Sequence, residues 1–122
     1  MQSWNLFELE TPGGTRSPIV LHSTEEARAL LIGIDPGQEL GEHQVHENAY
    51  IVVVEGRARF EAGNDSLAAD PGTLVRFEEH ERRRVSSENG ARLLVLLAPW
   101  PGPGHYRGDP ERRAEAPSGR RA

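Results

Sequence analysis

In the middle of the chain, apolar residues recur at alternate positions, the period of a half-buried strand. Arg28, Leu30, Ile32 and Ile34 alternate up to the turn signal Asp35-Pro36-Gly37, which predicts a strand from about Ala27 with a turn before it. The same region offers a helix, because Ser23 and Glu26 have capping-box spacing ahead of EEARALLI; the strand is preferred. AYIVVVEG, rich in β-branched residues, predicts another strand, and RARFEAGND follows it after Gly56. In that segment Ala58 and Phe60 share one face, while Arg57, Arg59 and Glu61 share the other. GNDS predicts a hairpin turn. SLAAD, a Pro-Gly turn and TLVRFEE then give a strand with Val75 and Phe77 on one face. ARLLVLLAPW is apolar on both faces, as a central or partner-covered strand is. Several short strands separated by turns, with no long helix, predict an all-β sandwich or barrel.

A chain of 122 residues holds one packed domain. Its 9 prolines and most of its 13 glycines fall between the periodic segments, as turns joining short strands require. Residues 1–26 read as a strand and turn segment packing on the barrel, with Trp4, Leu6 and Phe7 expected to bury. The barrel itself spans residues 27–100. Residues 101–122 are rich in proline, glycine and arginine and read as a flexible tail.

The composition narrows the chemistry. There is no cysteine, which excludes disulfides, thiolate metal sites and a cysteine nucleophile. Every basic residue is arginine, so a lysine Schiff base is excluded too. A net charge of -5 argues against nucleic acid, which wants a basic face. No apolar run reaches the length of a membrane span. MQSWNLFELE lacks the layout of a signal peptide, and a cytoplasmic location is expected.

The stretch with most chemical content is GEHQVHENAYIVVVEG, where His43, His46 and Glu47 stand directly before the apolar run. Imidazole and carboxylate together suit zinc, iron, nickel or manganese. The spacing is awkward: on a regular strand 43 and 47 share a face while 46 points away, so a bulge near Val45 would be needed. A solvated start to the strand is the simpler reading of His46-Glu47-Asn48, and an exposed turn is the simpler reading of His80.

The order of segments resembles the cupin family, double-stranded β-helix (jelly-roll) barrels, over about residues 27–98. The family's first motif opens and closes on glycine, with two histidines and a glutamate between. Here Gly37 opens it, QELGE follows, His43 takes the first histidine place and Gly56 closes it. In the second motif Gly72 opens, TLVRF follows, and EEHERRRVSS occupies the rest. Such framing glycines suit tight turns that need positive φ. By this resemblance Val45 stands at the second histidine place, Ala49 at the glutamate place and Arg83 at the third histidine place. The proline and glycine places are taken by Glu78 and His80, and the asparagine place by Ser87. The family's metal site is therefore degenerate, with only His43 keeping a ligand.

Three functions follow as alternatives. The first is a barrel binding a small organic ligand, without metal, in a pocket framed by His43, Val45, Ala49, Tyr50 and Arg83. An inward Arg83 would make that ligand an anion, since a guanidinium repels cations and takes carboxylate or phosphate. The second is an enzyme, either using a divalent metal (Zn, Fe, Ni or Mn) on His43, His46 and Glu47, or using His43 as acid and base near its usual pKa of about 6.5. The third is an interaction domain. Its apolar strands YIVVV and RLLVLLAPW supply surface for a homodimer, the assembly the resemblance and symmetry both lead one to expect.

Overall fold

The computed structural model describes residues 1–11, 18–40, 43–44 and 47–99, with only the backbone of His43 and Gln44. These residues form strands β1 (Ile19–Ser23), β2 (Arg28–Ile34), β3 (His43–Gln44), β4 (Asn48–Gly56) and β5 (Ala58–Ala62). Strands β6 (Asp65–Ala69), β7 (Leu74–Phe77), β8 (Arg82–Ser86) and β9 (Ala91–Ala98) complete the set. No helix occurs among the described residues, so none is long and apolar enough to cross a membrane. Residues 24–27 form a turn, not a helix start: Thr24 Oγ1 accepts from the Glu26 and Ala27 amides.

Two antiparallel sheets face one another, in the orders β1-β2-β9-β4-β7 and β3-β8-β5-β6. Strand β9 lies between β2 and β4, the central place that its two-sided apolar run predicted. The inner face is built in cross-strand rows. Leu30, Val95, Ile51 and Val75 form one, and Ile32, Leu93 and Val53 form the next. From the opposite sheet Ala58, Phe60, Ala69 and Val85 close the same core. Phe60 and Phe77 meet from the two sheets with ring centroids 6.2 Å apart. Each such buried large side chain contributes about 1.5–3 kcal/mol.

The turns carry out what their residues dictate. Asp35-Pro36-Gly37 and Asp70-Pro71-Gly72 each close with an amide from the fourth residue to the aspartate carbonyl, at 2.9 Å and 3.1 Å. Gly37 and Gly72 have φ of 80° and 95°, a left-handed conformation in which proline-glycine turns place glycine. Beyond Gly37 the chain runs antiparallel to β8. Leu40 donates to the Val85 carbonyl, and His43 stands opposite Arg83.

The N-terminal segment is placed differently from the expectation. Strand β1 joins the sheet edge beside β2 as part of that segment. Trp4 and Phe7, however, are exposed, and the segment is held by its backbone instead. Arg92, half-buried on the outer face of β9 and paired with Glu55 at 2.9 Å, donates to the carbonyls of Leu6 and Leu9. A guanidinium offers enough donors for all three partners, so main-chain capture replaces side-chain burial here. The expected tail, residues 101–122, lies outside the described residues.

Candidate functional site

One end of the barrel concentrates buried charge. The inner row there runs Arg28, Leu97, Ala49 and Phe77 across β2, β9, β4 and β7. Arg83 enters from β8 in the opposite sheet, and Glu47 from the residue before β4. Arg28, Glu47 and Arg83 are all buried. Strand alternation decides Arg83: Arg82 and Arg84 point outward, whereas Arg83 and Val85 point in. Arg84 is held outside by Glu39 at 3.1 Å.

The Arg83 guanidinium lies over the Phe77 ring, 5.5 Å from its centroid, where the ring quadrupole attracts it. Its Nε and Nη1 are buried without a hydrogen-bond partner among the described residues. Burial pushes its pKa down to about 10, and the negative field of Glu47 only partly opposes that shift. The guanidinium stays protonated at neutral pH, so the depressed value reflects burial that its surroundings compensate only in part. Ser87, equally buried, shows the contrast. Its hydroxyl donates to the Arg57 carbonyl at 2.6 Å and accepts from the Gly90 amide at 3.0 Å.

The residues named from sequence divide as follows. Ala49 and Arg83 face the interior, and the backbone of His43 is the pairing partner of Arg83. Val45 and His46 lie outside the described residues. Tyr50 does not belong to this group. It follows Ala49 on β4, so it points to the outer face, where Arg76 sits 5.9 Å from its ring. The solvated reading of Glu47 is likewise corrected, since it is 1% exposed. His80 is exposed, as read, and has φ of 68° at the place where the resemblance puts glycine.

Sequence reasoning left out Arg28, Phe77 and Leu97 as site residues. A signal for Arg28 was present, because it shares strand parity with Leu30, Ile32 and Ile34. The wider surface hollows lie elsewhere. One of about 490 Å³, bordered by Arg57, Arg59, Ser86 and Asn89, opens on the outside of the four-stranded sheet.

Two facing antiparallel sheets with this strand order and a filled apolar interior define a double-stranded β-helix. The chain is a cupin by fold. It is similar to an RmlC-like cupin from Desulfovibrio desulfuricans at 25% identity, with a TM-score of 0.71 over 81% of this chain and 97% of that one. A protein from Thermus thermophilus aligns at 23% identity and a TM-score of 0.71, over 81% and 98% of the two chains. A cupin superfamily protein from Desulfitobacterium hafniense aligns at 11% identity and a TM-score of 0.64, over 66% and 74%. No protein-family model matches the sequence, and no curated protein does.

At the two described places of the divalent metal that this fold family implies, Ala49 and Arg83, the residues do not fit it. Ala49 offers a methyl group, and Arg83 places a desolvated positive charge where a ligand would stand. Among the described residues no three metal-ligating side chains come together.

Proposed function

We propose that this cupin-type barrel binds a small anionic organic ligand at the Arg83 end, without a divalent metal. The observation that carries the reading is Arg83 itself, 7% exposed, with Nε and Nη1 lacking acceptors among the described residues. A ligand oxygen placed there forms a charge-assisted hydrogen bond, worth about 1.5–3 kcal/mol, and offsets the burial that Glu47 leaves uncompensated. Ala49, Leu97 and Phe77 provide an apolar floor beside it. His43, opposite Arg83 on β3, and Val45 complete the pocket in this reading. No reaction is assigned.

Elemental analysis and native mass spectrometry of protein purified without chelator test the proposal. Expected are metal far below stoichiometry and a small molecule released from the wild type on denaturation but missing from Arg83→Gln. Near-stoichiometric metal that disappears in His43→Ala would overturn it in favour of a metal-dependent enzyme on His43, His46 and Glu47.

The outer face of the five-stranded sheet supports a homodimer as the assembly. Leu94, Val52 and Leu74 form a cross-strand row there, flanked by Leu96 and Tyr50. Leu74 is 61% exposed and Leu96 38%, on adjoining rows of one face. Exposed apolar groups that adjoin in this way mark association surfaces more often than scattered ones do.

A further inference from the structure

We propose that the N-terminal strap, residues 1–11, is the docking element through which two copies of the chain associate. Trp4 and Phe7 of one copy seat on the Leu74–Leu96 corner of the second, and Glu8 and Glu10 meet its Arg76. This rests on the homodimer reading above and names what each copy contributes. The strap is seated on the outer face of the five-stranded sheet, where Arg92 holds the Leu6 and Leu9 carbonyls. Gly33, the register partner of Arg92 on β2, makes room for it. A Cβ there would lie 2.9 Å from Thr11 Cβ and run into the Thr11 hydroxyl. The strap also closes its own turn, with the Phe7 amide on Asn5 Oδ1 and the Glu8 amide on the Asn5 carbonyl, both at 3.0 Å. Ordering such a segment costs conformational entropy. Leu6 and Leu9 are half-buried, but Trp4 is exposed and Phe7 is 69% exposed, so the two rings recover little of that cost within one copy.

The same face supplies the complement at its other corner. Leu96 stands four residues beyond Arg92 on β9, roughly 13 Å along the strand, and Tyr50 and Arg76 continue its row across β4 and β7. Leu74, Leu96 and Tyr50 are the exposed apolar groups of that corner. Arg76 is exposed beside them, lying over the Tyr50 ring and donating to Asn48 Oδ1 at 3.0 Å. Among the described residues no carboxylate pairs with Arg76, and no cation pairs with the Glu8 or Glu10 carboxylate. An apolar, acidic strap and an apolar, basic corner are therefore matched in both surface and charge. A twofold axis lying in the face, midway between strap and corner, brings each strap onto the other copy's corner and makes two identical contacts. Tryptophan, tyrosine and arginine are the side chains that most often anchor such contacts.

Sedimentation of the full chain across a dilution series tests the contact, with cooperative unfolding checked for each variant. Trp4→Ala combined with Phe7→Ala is expected to raise the dimer dissociation constant at least about tenfold. Glu8→Arg with Glu10→Arg in one chain, and Arg76→Glu in another, should each weaken self-association by about tenfold. An equimolar mixture of those two chains should recover to within about threefold of the wild type, because each strap then faces a corner of opposite sign. A mixture that associates no better than either chain alone would overturn the proposal. Strap variants that dimerise like the wild type, while Leu74→Glu does not, would overturn it too and leave the homodimer through the outer face standing. A wild type that stays monomeric at the highest concentration would sink the homodimer reading and the strap contact together.

Discussion

At the scale of the residue, Arg83 carries a buried charge whose proton affinity is changed by folding. Its pKa in the folded chain, about 10, lies below its ordinary value. The unfolded chain therefore retains this proton after the folded chain has shed it, and stability rises as pH climbs through 10. The expected gain is of order 1–3 kcal/mol over that window, and it should be missing from Arg83→Met. Urea unfolding of both proteins at stepped alkaline pH measures it; parallel curves would mean that the buried charge is already satisfied. His80 gives a second residue-scale outcome. It holds a left-handed φ of 68° in the turn that Glu81 closes on Glu78 at 3.1 Å. Glycine adopts that conformation without the Cβ clash, so His80→Gly should raise stability by about 0.5–1 kcal/mol in chemical denaturation. A loss there would show that the imidazole's own contacts outweigh the backbone strain.

At the scale of the element, the strands are joined by glycines that do unequal jobs. Gly37 and Gly56 both have φ of 80°, but a Cβ on Gly37 would meet nothing within 4 Å. On Gly56 it would fall 2.8 Å from Ala91 Cα and collide with the Gly90 carbonyl oxygen, where the end of β4 pairs with the start of β9. Gly37→Ala should cost about 1 kcal/mol, from φ alone. Gly56→Ala should cost at least about 3 kcal/mol, because backbone has to move as well. Thermal or urea unfolding of the two variants side by side separates a conformational need from a packing need. Both glycines were legible in the sequence as frames of one motif, yet nothing in their spacing ranked them. The strands were legible for a similar reason: alternation in Arg28–Ile34 and β-branching in AYIVVVEG are local signals that the sheet then uses. The bulge between Val53 and Glu55, which buries Val54 out of turn, leaves no such mark.

At the scale of the whole molecule, burial is unequal on the two sides of the five-stranded sheet. The inner rows are filled, while on the outer row burial falls from fully buried Leu31, through Leu94 and Val52, to exposed Leu74. A homodimer through this face should weaken at least about tenfold in Leu74→Glu and Leu96→Glu, since a carboxylate placed in an apolar contact must be desolvated without a partner. Sedimentation or light scattering across a dilution series reads this. A wild type that stays monomeric at high concentration would rule the dimer out. The N-terminal segment belongs to the same scale. Composition alone suggested that Trp4 and Phe7 bury, but Arg92 holds the Leu6 and Leu9 carbonyls and leaves the two rings exposed.

The sequence by itself determined the all-β class, the positions of the turns, the register between Gly37, Gly56 and Gly72, and the absence of the family's ligands at Ala49 and Arg83. Those features are local: strand alternation, the φ preference of glycine and the identity of a side chain need no distant partner. The tertiary structure decided that Arg83 turns inward over Phe77, that Glu47 is buried at the same end, and that Tyr50 faces out. Such outcomes depend on which strands become neighbours across the two sheets. Sequence spacing does not encode that juxtaposition, and the cost or gain of a buried charge exists only once the neighbours have met.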